Sequence, residues 1–529
     1  MVAFPDEGES EHATVVAGVM IGDDTVLGGA LEGVAPMANL HSAAIGFGFD
    51  VELDPVSDVD FGLTADRLSR ISGPDPNDPN HIRRVRAINL SATRELSGIP
   101  GDTNDGNSHV TLFVDWNAHL RDVLWVVAWG NDGGFPKRAP TDNFNGMTVA
   151  ASAPVDPDNG DTVYRKFAGI NSTFGFLFDG RTPISLIAPG ENISALGHGD
   201  NPLEEDGTSL AAPHVTGTVA LLQQYAKPQV EAGTDPRWIA NSQTHEVMKA
   251  VMMNSADKLV DVHGSTRDVL NIIGTKWEST DHRDVPLDPT MGAGHLNARR
   301  SLQQFESGEY NPGSVPSIGW DYHGVGNIEE YLFDSQIGGG FLAATLAWDR
   351  RVDKAGGTTY LEGDNFVHQD PEDRLNNLDL YLMPANSNDF ADAIASSKSD
   401  VQNVEHIFYN IPTPGQYKLV VHNNPNGGIG DVQAYALAWW FGDAPATAGD
   451  FNSDGNVDSA DYVVWRKNGG PAQDYDDWFE NFGSGSGSGG SDVVPEPAAF
   501  VLLAMVIPCL FSCQRRTLLS FLSLKERQP

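Results

Sequence analysis

The pattern of apolar and polar positions changes texture along the chain. Val123 to Ala128 is an unbroken apolar run, which by length and content predicts a buried strand. Ile184 to Leu196 (ISLIAPGENISAL) is a second apolar stretch, turned at Ala188-Pro189-Gly190. Small residues after Gly207, then the apolar run Val219 to Leu222, predict a tight turn opening a buried helix. Val247 to Asp257 reads as an amphipathic helix. Beyond residue 305 the period shortens. Phe341 to Trp348, Leu378 to Met383, Glu405 to Tyr409, Tyr417 to His422 and Ala434 to Phe441 alternate between Gly/Pro/Asn turns, which predicts an antiparallel β-sandwich. A Ser/Gly linker then leads to the apolar run Ala498 to Cys513, followed by Arg515-Arg516. As a helix that run spans about 24 Å, short of the roughly 30 Å apolar core of a bilayer.

Composition narrows the classes. With 529 residues the chain has room for about three domains. An apolar content of 40% supports packed cores and excludes wholesale disorder. The net charge of −39 argues against nucleic acid and anionic membrane surfaces as partners. The 2 cysteines, Cys509 and Cys513, both lie in the terminal apolar run, so there is no disulfide scaffold. The first twenty positions carry neither a basic n-region nor an apolar h-region.

The chemistry concentrates in Gly207-Thr208-Ser209-Leu210-Ala211-Ala212-Pro213-His214-Val215-Thr216-Gly217. A serine at a helix N-terminus lies at the positive end of the dipole, where a developing oxyanion is favoured. The plainer role for such a serine is an N-cap. The whole string resembles the active-serine motif of the subtilisin-like serine peptidases, and further blocks follow suit. Trp129-Gly130-Asn131-Asp132-Gly133, alone a turn, resembles the turn whose Asn donates to the oxyanion. His12-Ala13-Thr14-Val15-Val16-Ala17-Gly18 and Gly33-Val34-Ala35-Pro36 resemble the segment of the reactive histidine, with Ala13 and Val15 departing from it. Ala87-Ile88-Asn89-Leu90-Ser91 resembles the strand lining the substrate cleft. Ala92-Thr93-Arg94 replace the glycines usual after it, which leaves the shape of the first specificity pocket undefined. Met291 to Ala298 resembles the turn that closes the domain. The resemblance thus implies catalysis by His12 and Ser209, an oxyanion donor at Asn131, and substrate pairing along Leu90, Ser91, Ala92 and Thr93.

The His–Ser separation exceeds the roughly 157 positions of the reference Asp, His, Ser order by about 40, which polar turn-rich stretches absorb. In that order an aspartate precedes the histidine by about 32 positions. Eleven residues precede His12, and Asp6 has no apolar strand to hold it. The aspartate, with a signal peptide, is therefore expected upstream of Met1, and the chain as written is expected to be nearly inactive. The alternative function is a catalytically inactive surface or matrix binding protein.

Residues 306–445 resemble the accessory sandwich that follows bacterial subtilases, through Asp379-Leu380-Tyr381-Leu382 and Pro414-Gly415-Gln416-Tyr417. Asp450, Asn452, Asp454, Asn456, Asp458 and Asp461, with Gly455 at the sixth place, match a Ca²⁺ loop. With Tyr462 to Asn468 this resembles a dockerin repeat. The second half, Asp474 to Gly483, has lost its loop, which argues against cohesin binding. Calcium in the peptidase domain is usual in the family, without ligands assignable here. Val494-Pro495-Glu496-Pro497, the apolar run and the arginines together resemble a PEP-CTERM sorting signal, cut by a sorting peptidase (exosortase) while 498–513 sits transiently in the inner membrane.

The expected fold is α/β: a subtilisin-like, mostly parallel sheet flanked by helices, then an all-β sandwich and a small helical calcium-binding module. The expected boundaries are 1–305, 306–445, 446–483, a linker at 484–493, the sorting signal at 494–516 and a tail at 517–529. The expected product is an exported serine endopeptidase, at the cell surface or extracellular after processing, acting on polypeptides.

Overall fold

The computed structural model describes residues 11–23, 29, 31–42, 58–75, 78–95, 104–131, 138–154, 164–166, 176–258, 260–261, 268–269, 286–354, 356–361, 364, 366–367, 375–411, 413–425, 432–442, 462–463, 465–466, 475 and 478–479. Residues 1–445 form one unit and 446–529 a second.

The first half of the larger unit is built on a twisted sheet. Its strands are β1 (Ala87–Leu90), β2 (Leu124–Ala128), β3 (Met147–Pro154), β4 (Tyr164–Lys166) and β5 (Leu186–Pro189). The order is β1-β2-β3-β4, and β5 also pairs with β3. The β1/β2, β2/β3 and β3/β5 pairs are parallel, while β4 runs antiparallel. Helices α1 (Glu11–Ile21), α2 (Asp58–Ser69), α3 (His109–Arg121), α4 (Thr208–Ala232), α5 (His245–Asn254) and α6 (Ala298–Glu306) complete this half. A hairpin of β6 (Ile193–Leu196) and β7 (Pro202–Glu205) leads into α4.

Both faces of the sheet are covered, as parallel strands require. The period of two along β2 distributes its side chains. Leu124, Val126 and Ala128 join Val215, Val219 and Leu222 of α4 and Val251 of α5. Trp125 and Val127 face the other way, onto Val110, Phe113 and Val114 of α3 and Phe61 of α2. Ser108 caps α3 by accepting from the Thr111 N–H, and Asp122 ends it in the left-handed region at φ 52°.

The second half holds two sheets that share one apolar core. The strands are β8 (Gly313–Val315), β9 (Ile318–Val325), β10 (Ile328–Phe333), β11 (Gly340–Trp348), β12 (Leu378–Pro384), β13 (Ala395–Ser397), β14 (Val404–Ile411), β15 (Tyr417–Asn423) and β16 (Gln433–Gly442). One sheet runs β8-β10-β15-β12-β13 and the other β9-β16-β11-β14. Leu380, Leu419 and Val421 of the first meet Leu342, Leu346 and Leu437 of the second. The pairing departs from the all-antiparallel expectation at β8, which runs parallel to β10.

One further expectation changes. Helix α5 has no solvent-facing side: all ten residues from His245 to Asn254 are buried. Val247, Met248 and Met252 share a single core with Leu124 and Met147 of the parallel sheet and with Trp320, Ala347 and Ala438 of the four-stranded sheet. The helix is thus enclosed by two sheets, and its polar residues find their partners inside the protein. One apolar core also crosses the 305/306 position.

Charged groups cross it as well. His245 lies 3.1 Å from Asp349 through Nε2, and through Nδ1 lies 3.2 Å from Glu246 and 3.3 Å from Asp122. His119 Nδ1 stands 2.9 Å from Asp349. Burial alone would push the His245 imidazole down, but Asp349 and then Glu246 outweigh it and hold it well above its usual value. Burial would push the Asp349 carboxyl up, yet the His245 charge and the His119 hydrogen bond hold it well below the usual carboxylate range. The two shifts act on opposite sides of neutrality. The Asp349 contribution is complete above its unfolded value of about 4 and is lost as pH falls toward its folded value. The His245 contribution is complete below its unfolded value of about 6.5 and is lost as pH rises through its higher folded value. The Tm difference between wild type and His245→Gln is therefore expected to shrink as pH rises above about 6.5, while Lys249 and Lys258, pushed down by burial, act in the opposite direction in both proteins. A difference independent of pH above about 6.5 would contradict the linkage.

In the smaller unit, Tyr462, Tyr475 and Trp478 pack ring against ring, at centroid separations of 5.1–6.0 Å. The calcium-loop positions Asp450, Asn452, Asp454, Asn456, Asp458 and Asp461 lie outside the described residues, as do the linker and the sorting signal. No helix among the described residues is long and apolar enough to cross a membrane.

Candidate active site

Ser209 is the second residue of α4, and the cap is Gly207, which has no side chain to offer. The capping role considered for Ser209 therefore falls to Gly207. Its φ of 141° is open to glycine alone, and an added Cβ would stand 3.0 Å from Asn131 Nδ2. Gly207 itself supplies no side-chain cap, and the positive end of α4 lies at Ser209.

Asn131 follows β2 and is locked to the helix start. Its Oδ1 accepts from the Thr208 N–H at 2.9 Å and from Thr208 Oγ1 at 3.1 Å. The Thr208 hydroxyl oxygen in turn accepts from the Gly130 N–H at 2.9 Å. With its oxygen engaged, the amide presents Nδ2 as its donor end. Sequence reading passed over Thr208; the Gly-Thr-Ser triplet was the signal that held it.

On the other side, Ser91 follows β1. Pro213 has no N–H for the Ser209 carbonyl four residues back, and the Ser91 hydroxyl donates to that carbonyl at 2.8 Å instead. Asn89 Nδ2 donates to Ser91 Oγ at 2.9 Å, and Thr216 of α4 donates to Asn89 Oδ1 at 3.1 Å. The Ser209 hydroxyl makes a long 3.4 Å contact to the Ser91 carbonyl. Of the expected substrate-pairing segment, Ser91 lies directly against Ser209. The Leu90 side chain is buried in the apolar core, and the Thr93 hydroxyl accepts from Arg138 at 3.3 Å. Ala92 is partly buried against the same core.

His12 opens α1. That helix reaches the start of α4 through Val15 and Val19, which pack with Leu210, the residue after Ser209. The His12 ring is not bonded to Ser209. Its Nδ1 lies 3.1 Å from Glu205 Oε2, and its Nε2 is buried with no hydrogen-bond partner. Glu205, which sequence reading missed, ends β7 four positions before Ser209.

For a metal, the closest cluster among the described residues is Asp122, His245 and Glu246, whose ligand atoms lie within 4.8 Å of one another. Their charges are already balanced by the imidazole between them and by Arg86, which donates to Asp122 at 2.8 Å.

A serine in the first turn of a helix on a parallel sheet, an imidazole on the adjoining helix and an amide at a strand end are the parts of an α/β serine hydrolase. The model of the Subtilase family matches residues 4–275, and the chain belongs to that family. It is 31% identical over 109 residues to Subtilisin BL of Lederbergia lenta, covering 20% of this chain and 34% of that protein. It is 25% identical over 220 residues to the major intracellular serine protease of Bacillus subtilis (strain 168), covering 40% of this chain and 55% of the relative. The extracellular serine proteinase of Thermus sp. (strain Rt41A) is 29% identical over 216 residues, covering 40% and 41%. The chain thus spans from about a third to about half the length of these curated relatives. Among solved structures, the patellamide maturation protease PatA aligns with a TM-score of 0.36 at 20% identity, over 57% of this chain and 87% of that one.

Proposed function

We propose that the chain is a serine endopeptidase that cleaves polypeptides through an acyl-enzyme. The observation that carries this reading is the interlock of Asn131 with Thr208 beside Ser209, which orients an amide donor and a helix N-terminus at one serine. Ser209 Oγ attacks the scissile carbonyl while His12 Nε2 takes its proton, then returns it to the leaving amine. The Ser209 N–H and Asn131 Nδ2 stabilise the oxyanion. Ser91 to Thr93 border the substrate backbone.

The test is hydrolysis of fluorescent casein, abolished by a fluorophosphonate; casein left intact by the folded protein would overturn the reading. Asn131→Ala is expected to lower turnover by about 10²–10³-fold, the magnitude known for loss of one such donor. Its effect should fall on kcat, because the bond forms to charge that develops in the transition state.

The specific observation behind the alternative, an inactive surface or matrix binding protein, is that Ser209 Oγ contacts the Ser91 carbonyl and not His12. Catalytic hydrogen bonds are often unmade before substrate arrives, so we favour the enzyme. We further propose export and sorting at the Val494-Pro495-Glu496-Pro497 segment by an exosortase-type peptidase, with Ca²⁺ held by Asp450, Asn452, Asp454, Asn456, Asp458 and Asp461. C-terminal sequencing of the exported form and calcium titration of the full chain test these two readings.

A further inference from the structure

We infer that Glu205 is a carboxylate that orients His12, so that the base is held by a residue of the hairpin leading into the nucleophile. The inference rests on the endopeptidase reading above.

The chemistry follows from one contact. An ionised carboxylate only accepts hydrogen bonds, so the 3.1 Å approach of His12 Nδ1 to Glu205 Oε2 places the proton on Nδ1. The Nε2 atom is then the lone-pair nitrogen. It is buried and has no hydrogen-bond partner. That is the tautomer a general base needs, and once Nε2 takes a proton the same carboxylate faces a full imidazolium.

Among the described residues, the neighbouring acidic groups Glu11 and Asp206 are already committed. Glu11 Oε1 accepts from the His198 N–H at 2.9 Å, and its Oε2 lies 3.0 Å from His198 Nδ1. Asp206 accepts from the Asn192 N–H at 2.7 Å. Glu205 itself is fixed in register by pairing of its backbone with Ile193. The chain then runs through Asp206, Gly207 and Thr208 to Ser209, so the carboxylate and the nucleophile are set by one continuous segment. The side chains of His12 and Glu205 remain 32% and 31% exposed, so solvent screens the pair and its effect is smaller than that of a fully buried carboxylate. Glu205 is a positioning residue, since it acts on substrate through His12.

The experiment compares the full chain with Glu205→Gln, Glu205→Asp and Ser209→Ala, using a fluorophosphonate probe and a peptide p-nitroanilide. Glu205→Gln keeps the shape but offers an amide in place of the charge. It is expected to lower kcat at least about tenfold with KM unchanged, to slow probe labelling by a similar factor, and to leave Tm unchanged. Glu205→Asp is expected to recover part of the rate, because the charge returns on a shorter stem. A purely structural role would move Tm and would not be rescued by the charge. Labelling that is lost in Ser209→Ala yet stays at the wild-type rate in Glu205→Gln would overturn the role of Glu205 and leave the endopeptidase standing. Wild-type protein with no Ser209-dependent labelling would overturn both.

Discussion

Ser209→Ala is expected to abolish covalent labelling by a fluorophosphonate and to reduce peptide hydrolysis to the roughly 10³–10⁴-fold over water that oxyanion donors and binding alone supply. The size follows from what the hydroxyl does. Without Oγ no acyl-enzyme forms, and the oxyanion donors and the helix N-terminus are left to assist a bound water. The fold should barely notice. Ser209 is 5% exposed, alanine fits within its outline, and the hydroxyl's one recorded contact is long at 3.4 Å. A stability change within about 0.5 kcal/mol is expected. Mass spectrometry of the labelled wild type should place the adduct on the peptide holding Ser209. Equal labelling of wild type and variant would remove Ser209 from the chemistry and end the endopeptidase reading.

What could be read from the sequence was what is local. The apolar run Val123 to Ala128 became β2, and the two halves of Ile184 to Leu196 became β5 and β6, because strand-length apolar runs between turns have few other uses. The start of α4 was legible because Gly207, Thr208 and Ser209 are consecutive. Helix α3 was overlooked although its signal was present: Ser108 three residues before Thr111, with apolar Val110, Leu112 and Phe113 behind it.

The remainder depended on partners far along the chain. Glu205 meets His12 across 193 positions, and no spacing rule pairs a glutamate with a histidine at that distance. The full burial of α5 was hidden because Trp320, Ala347 and Ala438, which cover its outer side, belong to strands that follow it. The helix itself carries His245, Glu246 and Lys249, which locally read as a polar face; the ion pairs to Asp122 and Asp349 and the Lys249 bond to the Phe144 carbonyl allow them inside.

Arg350→Met is expected to destabilise the larger unit by about 3–5 kcal/mol, because it strands a buried carboxylate. The guanidinium follows β11 from the second half yet is spent on the first. Its Nη2 lies 2.5 Å from Asp115 Oδ2 of α3 and donates to the Gly106 carbonyl at 2.7 Å, and its plane covers the Phe144 ring at 4.2 Å. The backbone is clasped as well: the Arg350 N–H donates to Asn145 Oδ1 at 2.7 Å, and Asn145 Nδ2 donates to the Arg350 carbonyl at 2.9 Å. Asp115 is fully buried, so water cannot replace the lost cation. The carboxylate would keep its bonds from the Phe144 and Asn145 N–H groups, which hold one oxygen and leave the other bare. If the cost is the stranded charge, Asp115→Asn in the same chain should return a good part of it, since the amide still accepts at Oδ1 and carries no charge. If the cost is packing over Phe144, the double variant should be no better than Arg350→Met. Urea unfolding followed by tryptophan fluorescence separates the two. Because Trp125 of the parallel sheet and Trp320 and Trp348 of the second half are tied through shared cores and this clasp, all three should report one transition. Two separate transitions in the wild type would mean that the second half folds apart from the half that carries Ser209.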